Sequence, residues 1–259
     1  MSEIQFSHAN GFPAKTYEKF FRFLHPHTVT HVDVLGIGKY RPGKTWRPIV
    51  PELIRDIETR HSRPVWGVGH SFGGVLTLWA AVDRPDLFEG IILLDPPIFT
   101  PSIRLGMALV SALGLSHRLV PIARNALRRR DKFESREHAY QYWKSRPFFQ
   151  DFDPEAFDAY THHGLKLGEN GGVELAIPRA LESHLFATTP ARIGNTRPKV
   201  PSFYVYATQG VTPDNMIRKH KRLFPLTQFV PIEGKHMFPL EQPENTANLI
   251  KKIIEETVK

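Results

Sequence analysis

The chain contains no cysteine, which excludes disulfide bonds, thiolate metal ligands and a cysteine nucleophile. The sequence also lacks an apolar run long enough to span a bilayer as a helix. The longest apolar run lies around Leu105–Leu115. The first residues, MSEIQFSHANGF, do not show the basic start and apolar run of a signal peptide. Together these absences predict a cytoplasmic protein.

The composition is that of a globular protein. The 259 residues include 41% hydrophobic and 23% charged side chains, which excludes a wholly disordered chain and a coiled coil. This length allows one large domain, or a domain with an insertion, around a sizeable buried core.

Positive charge is concentrated in one segment. The net charge is +8, and residues 101–150 hold ten Lys or Arg against three Asp or Glu, with Arg124 and the run Arg128-Arg129-Arg130 prominent. Such a segment can bind nucleic acid, but no helix-turn-helix, finger or RNP pattern accompanies it, so we expect no nucleic-acid partner. Three interpretations stay open: a solvated helix face, weak contact with an anionic lipid surface, and attraction of an anionic substrate or a charged carrier such as a coenzyme A thioester.

Short apolar runs alternate with helical patterns at both ends of the chain. This alternation predicts an α/β fold with a mostly parallel sheet of about six strands and helices on both faces. Residues 97–196 show helical periodicity and no convincing strand, so we expect a core of residues 1–96 and 197–259 and an all-helical insertion. The predicted strands are Ile4–Ser7, Val29–Leu35, Pro64–Val68, Gly90–Asp95, Ser202–Ala207 and Gln228–Ile232. The clearest predicted helices are Ala14–Leu24, Ile49–Ile57, Gly73–Val82 and Glu244–Val258.

Gly69-His70-Ser71-Phe72-Gly73 is a G-x-S-x-G pentapeptide. An apolar strand leads directly into it and a helix leads directly out. So sharp a turn strains the serine backbone and needs glycine two residues to either side. It presents the Ser71 hydroxyl at the carboxyl end of the sheet and places the N–H of Phe72 at a helix N-terminus, where it can donate to an oxyanion.

With this motif the chain resembles the α/β-hydrolase superfamily, as a capped, serine esterase-like member. His8–Pro13 is similar to the loop that supplies the family's second oxyanion donor, which implies the N–H of Phe12. Asp33–Gly38 resembles the family's D-x-x-G-x-G stretch. Only seven residues precede His8, so we expect the family's first two strands to be missing and the strand near Thr30–Leu35 to form the sheet edge.

The resemblance also indicates a histidine and an acid. Gly234-Lys235-His236 resembles the family's catalytic histidine loop, and His236 can act as base and then as acid for Ser71. The acid that orients this imidazole is expected near Gly210, which has no carboxylate. Two candidates remain. Asp95 ends the predicted strand beside the turn at Ser71, which we call the elbow, and Asp214 stands in a context that also fits helix capping. We favour Asp95.

A serine nucleophile argues against haloalkane dehalogenase and epoxide hydrolase chemistry, which in this family uses an aspartate. We therefore expect hydrolysis of a carboxylic ester with an apolar acyl group, without cofactor or metal. The apolar helix pattern near Ile103–Leu115 suggests an acyl or aromatic pocket, although its residues could instead pack the insertion's own core. Aromatic residues of the insertion could line that pocket or pack its own core: Tyr140, Tyr142, Trp143, Phe148 and Phe149.

Other activities fit the same three residues. A thioesterase, a C–C bond hydrolase and a serine-dependent perhydrolase all use them, and a catalytically silent ligand-binding homologue would keep the fold. The oligomeric state is left open.

Overall fold

The structure, a computed structural model, describes residues 1–99, 101–169, 171–188, 197–210 and 212–258. Within these residues the strands are β1 (Glu3–Ser7), β2 (Thr28–His31), β3 (Val65–His70), β4 (Phe88–Leu94), β5 (Lys132–Phe133), β6 (Leu165–Leu167), β7 (Val173–Leu175), β8 (Ser202–Ala207) and β9 (Gln228–Ile232).

Helices connect these strands and follow the last of them. They are α1 (Glu18–Phe23), α2 (Val50–Arg60), α3 (Phe72–Asp83), α4 (Pro101–Ala112), α5 (Ser116–Leu119), α6 (Pro121–Arg128), α7 (Arg136–Lys144), α8 (Pro154–His163), α9 (Arg179–Ala187), α10 (Asp214–Leu223), α11 (Phe238–Glu241) and α12 (Pro243–Val258). None of the helices within the described residues combines the length and the apolar character needed to cross a membrane.

Six of the strands form one sheet in the order β2-β1-β3-β4-β8-β9, and neighbouring strands run parallel. The predicted α/β fold with a six-stranded parallel sheet is therefore confirmed, and β2 is its edge as expected. Because all six strands run in one direction, their carboxyl ends meet at one edge of the sheet. The loops that follow β1, β3, β4, β8 and β9 are thereby brought together, and they carry the residues predicted to be functional.

Helices cover the sheet on both faces because the central strands are apolar on both. In β4, Ile92 and Leu94 are buried with side chains of α1 and α12 on one face. Ile91 and Leu93 are buried with side chains of α2, α3 and α10 on the other. Such continuous apolar strands are characteristic of a parallel sheet buried between helices.

β2 is shorter than predicted. It ends at His31 rather than at Leu35, because the chain leaves the sheet to join the loop after β1. The carbonyl of Asp33 accepts a hydrogen bond from the N–H of Ala14, and the N–H of Leu35 donates to Nε2 of His8 at 2.8 Å. These loop contacts replace the ladder that a longer strand would have made.

The segment between β4 and β8 is not all-helical, so that expectation was wrong. It contains a three-stranded antiparallel sheet in the order β5-β7-β6 beside its helices. These strands have two or three residues each, too few for a period-two pattern to stand out in the sequence. Antiparallel pairing between distant short segments depends on tertiary contacts that periodicity does not report.

Candidate active site

Ser71 lies at the turn between β3 and α3, at the carboxyl edge of the sheet. Its backbone has φ 53° and ψ −118°, a conformation that strains a residue with a side chain. The N–H of Ser71 donates to the carbonyl of Leu94 at the end of the neighbouring strand, at 2.8 Å. This turn presents the Ser71 side chain above the sheet edge, as the pentapeptide predicted.

The two glycines of the pentapeptide are required by close backbone approaches. A Cβ atom on Gly73 would lie 2.1 Å from the carbonyl oxygen of Ser7 in β1. One on Gly69 would lie 2.5 Å from the carbonyl oxygen of Gly73. Both contacts are with backbone, which cannot move aside as a flexible side chain could. The first turn of α3 can therefore pack against the ends of β1 and β3 only without these side chains.

His236 connects Ser71 to Asp95. Nδ1 of His236 lies 2.6 Å from Oδ2 of Asp95, and its Nε2 lies 3.0 Å from Oγ of Ser71. A carboxylate only accepts hydrogen bonds, so Nδ1–H donates to Asp95. Nε2 is then the acceptor, and the Ser71 hydroxyl donates to it. The structure thus brings together the three side chains that the sequence singled out, in the orientation that proton transfer from serine to histidine requires.

The acid beside His236 is Asp95 and not Asp214. Asp95 directly follows β4, is fully buried and has φ 43°. A Cβ atom on Gly210 would lie 3.0 Å from Oδ2 of Asp95, so the glycine where an acid was first expected leaves room for this carboxylate. Asp214 is exposed and begins α10, where an acidic side chain favours the helix dipole.

His70 and Tyr17 hold the histidine loop in place. Nε2 of buried His70 lies 3.0 Å from the carbonyl oxygen of His236, and its Nδ1 lies 2.8 Å from the Tyr17 hydroxyl. A carbonyl only accepts, so Nε2–H donates to it and the Tyr17 hydroxyl donates to Nδ1. Burial lowers the pKa of His70 well below its usual value, which keeps the ring neutral and this arrangement intact.

The two predicted oxyanion donors differ in their surroundings. Phe72 is the first residue of α3, and its N–H has no backbone acceptor among the described residues. The N–H of Phe12 donates to the carbonyl of Ala9 within its own turn, at 3.2 Å. An oxyanion at Ser71 would therefore meet one free N–H from Phe72, whereas Phe12 would have to share its hydrogen bond or turn away from Ala9.

A buried ion pair supports the loop that carries Phe12, and the sequence analysis missed it. Nη1 of Arg129 lies 3.0 and 2.8 Å from the two carboxylate oxygens of Glu182, and its Nη2 donates to the Tyr160 hydroxyl at 2.7 Å. The Glu182 carbonyl accepts from the side-chain amide of Asn10 at 3.0 Å. Tyr160 packs against Phe12 with ring centroids 4.8 Å apart. These contacts join residues between 31 and 172 positions apart, so no local pattern indicates them.

A cavity of about 500 Å³ opens beside Ser71 and His236. Its described wall is mostly apolar, which suits an apolar ligand held by few polar groups. The polar lining residues are Asn10, Ser71, Thr188, Thr212 and His236. The others are Trp46, Phe72, Pro97, Ile98, Phe99, Ile103, Met107, Leu119, Val120, Pro121, Ile122, Leu185, Phe186 and Met216.

The walls of this cavity answer the question left open about the inserted segment. Ile103 and Met107 of α4 line the cavity, as the apolar helix pattern suggested. None of the five aromatic residues considered above is among the described lining residues. Four of them pack against a hydrophobic core that the inserted segment shares with the sheet. Phe148 is about half exposed. The described residues also contain no group of three His, Asp or Glu side chains placed to hold a metal ion.

Comparison with known proteins agrees with this fold. Residues 6–249 match the Alpha/beta hydrolase family, so the chain belongs to that family. Among solved structures, E-2-(acetamidomethylene)succinate hydrolase superposes with a TM-score of 0.77 at 19% identity, covering 98% of this chain and 91% of that one. A thioesterase domain from the curacin biosynthetic pathway gives 0.72 at 17% identity, covering 96% and 90%. At such identities the likeness concerns the fold alone.

Curated relatives match over parts of the chain. The type I acyl-CoA thioesterase mpaH of Penicillium brevicompactum is 34% identical over 113 residues, 43% of this chain and 23% of that protein. Lipase LipV of Mycobacterium tuberculosis is 28% identical over 150 residues, 56% of this chain and 51% of that protein. The matches thus span between about a quarter and a half of these relatives. The family and these relatives support a hydrolase.

The close approach at Gly73 predicts a large effect of a single methyl group. We expect Gly73→Ala to lower the free energy of unfolding by about 3 kcal/mol, because the new Cβ displaces α3 from the end of β1. Gly106→Ala is the matched control: it lies in α4 with no atom within 4 Å of its added Cβ, and we expect it to stabilise by about 0.5–1 kcal/mol. Urea unfolding of both variants measures this. An equal, small effect of the two would contradict the packing described.

The Arg129–Glu182 pair predicts a pH-dependent effect. Burial raises the pKa of Glu182 and Arg129 opposes this, so in Arg129→Gln the carboxyl pKa rises further. In the unfolded chain the pKa of Glu182 lies near its ordinary value. The variant therefore loses stability as the pH rises from this unfolded-state pKa towards the raised pKa of the folded state. We expect a loss of about 3 kcal/mol at pH 8, since a buried charge is left unpaired, and a smaller one at pH 5.

Urea unfolding at both pH values checks this expectation. Arg63→Gln serves as the control, because Arg63 is exposed and its replacement should cost little at either pH. A loss for Arg129→Gln that is the same at pH 5 and pH 8 would show that the carboxylate of Glu182 is not what the arginine stabilises.

Proposed function

We propose that this chain is a carboxylesterase-like serine hydrolase, in which Ser71, His236 and Asp95 form a catalytic triad. The observation that carries the proposal is the pair of hydrogen bonds at His236, to Ser71 at 3.0 Å and to Asp95 at 2.6 Å. A silent ligand-binding homologue would not need to keep this geometry at a strained serine. Membership of the hydrolase family supports the same conclusion.

The reaction follows from the direction of these hydrogen bonds. His236 Nε2 accepts the hydroxyl proton while Ser71 Oγ attacks the ester carbonyl carbon, and Asp95 stabilises the resulting imidazolium. The N–H of Phe72, together with that of Phe12 once it leaves Ala9, donates to the oxyanion. His236 then gives its proton to the departing alcohol oxygen. A water molecule, deprotonated by His236, attacks the acyl carbon. His236 then returns this proton to Ser71 Oγ as the bond between Oγ and the acyl carbon breaks, which releases the carboxylic acid and free Ser71.

The substrate we propose is a small ester with an apolar acyl group. The cavity beside Ser71 has a largely apolar wall, part of which comes from Ile103 and Met107 of α4 and Leu185 of α9. Because these residues belong to the inserted segment, they support the proposal that residues 97–196 form a cap over the elbow. The lack of cysteine supports a cytoplasmic location.

A thioester is the second candidate substrate. The same triad cleaves it, with the thiolate leaving in place of the alkoxide. Two observations favour it: one curated relative is named an acyl-CoA thioesterase, and the concentration of arginine in residues 101–130 suits an anionic carrier. A C–C bond hydrolase would use the same residues, but no described contact favours it over the ester.

Hydrolysis of 4-nitrophenyl esters and acyl thioesters of graded chain length tests the function. We expect the wild type to hydrolyse at least one of these series and Ser71→Ala to show only the background rate. In Asp95→Asn we expect kcat to fall by about 10³- to 10⁴-fold, because the imidazole loses its orienting carboxylate. Asp214→Asn is the matched control: an exposed aspartate whose loss should change kcat less than twofold and stability by about 0.5 kcal/mol.

Three results would contradict the proposal. A folded wild type that hydrolyses neither series would favour a silent binding protein. Wild-type activity that persists in Ser71→Ala would place the chemistry elsewhere. A large loss in Asp214→Asn with little loss in Asp95→Asn would overturn the assignment of the acid.

A further inference from the structure

The inserted segment presents an apolar face to the outside. Of the large apolar side chains that are clearly exposed among the described residues, most lie between residues 103 and 127. Leu105 is 64% exposed, Leu109 58% and Leu113 71%, and Leu119 and Leu127 are also exposed. We call these five leucines the leucine face. Exposed apolar side chains concentrated in one segment often mark a site of interaction.

Helix α4 is apolar on two opposite sides. Ile103 and Met107 line the cavity beside Ser71. The leucines at 105, 109 and 113 follow each other at a spacing of four residues. Leu105 lies two residues after Ile103, which corresponds to a rotation of about 200° around the helix axis. They therefore point away from the cavity. An apolar side of a helix normally packs against another element, and no described residue covers these leucines, which stay exposed.

The charge beside the leucine face indicates what kind of partner this is. Residues 101–130 contain six arginines and no aspartate or glutamate. Arg124 and Arg128 of α6 are exposed, and neither takes part in the ion pairs found between described residues. Some arginines elsewhere are paired, such as Arg47 with Asp83 and Arg60 with Asp56, but residues 101–130 offer no carboxylate of their own for such pairing. A second copy of the chain at this face would bring arginine against arginine, whereas an anionic surface would neutralise them.

We propose that the leucine face and the neighbouring arginines dock the protein onto an anionic lipid surface. Leucine side chains would enter the acyl boundary while arginines contact the headgroup phosphates, the usual combination for a helix lying in the interface. Leu119 and Ile122 are exposed and also line the cavity, so docking would bring part of the cavity wall close to the lipid. An apolar substrate could then pass from the lipid to Ser71 with little exposure to water.

Vesicle flotation tests the proposal without requiring catalysis. Ser71→Ala protein is mixed with vesicles of phosphatidylcholine, either alone or with about 30 mol% phosphatidylglycerol. We expect it to float with the anionic vesicles only, and less as the salt concentration rises. Leu105→Gln/Leu109→Gln/Leu113→Gln should bind at least about tenfold more weakly. The matched control is Leu167→Gln/Leu226→Gln, since these leucines are 81% and 79% exposed and lie outside the face; it should bind like the parent.

The arginines are tested in the same way. Arg124→Gln/Arg128→Gln should weaken flotation and flatten its salt dependence, whereas Arg55→Gln/Arg63→Gln, which removes two exposed arginines of α2 and the loop after it, should do so much less. Sedimentation of the protein alone measures its oligomeric state in parallel. A dimer that the leucine substitutions dissociate, without vesicle binding, would make the face a contact between copies and overturn the proposal.

Further results separate this proposal from the proposed function. No flotation, flotation independent of lipid charge, or equal losses in the leucine variant and its control would each overturn docking. The same leucine substitutions in the active chain should leave hydrolysis of a short, water-soluble ester unchanged, because none of the three lines the cavity. Flotation that depends on the leucine face in a protein without hydrolytic activity would support docking while contradicting the proposed function.

Discussion

The close approach between the first turn of α3 and the ends of β1 and β3 is the constraint on which the site depends. Space for this approach exists because positions 69 and 73 carry no side chain. The turn then forces Ser71 into a positive φ and leaves the N–H of Phe72 at the start of a helix. The Ser71 hydroxyl and the N–H that we propose as an oxyanion donor are thus placed by a single packing contact. That contact also explains why the strain at Ser71 can persist: the surrounding sheet and helix leave the backbone no alternative.

The rest of the site comes from neighbouring loops at the same sheet edge. Asp95 follows the strand beside the elbow, and the loop after β9 brings His236 between Asp95 and Ser71. His70, inside the elbow, donates to the carbonyl of His236, so the elbow also holds the loop that carries the proposed base. On the other side, the Arg129–Glu182 pair supports the loop of Phe12 through Asn10 and Tyr160. The inserted segment therefore contributes both to the cavity wall and to the support of the loop that carries Phe12.

Much of this was predictable from sequence where the signal was local. The strands Ser202–Ala207 and Gln228–Ile232 have the predicted bounds, since both are rich in β-branched and aromatic residues. Pro231 is tolerated because β9 is an edge strand. Ser71 was indicated by a pentapeptide whose spacing has a steric cause. The predictions weakened where structure depends on distant contacts: β2 is shorter because its end joins the loop of His8, and β5–β7 are too short to show a pattern. The Arg129–Glu182 pair joins two segments that no sequence spacing relates.

Labelling with a fluorophosphonate probe tests the central claim most directly, that His236 and Asp95 make Ser71 nucleophilic. The probe reacts only with an activated serine, and mass spectrometry of the labelled peptide locates the bond. We expect rapid labelling of the wild type at Ser71, none in Ser71→Ala, and slow labelling in His236→Ala. A correctly folded wild type that stays unlabelled, or His236→Ala protein labelled as fast as the wild type, would contradict the account.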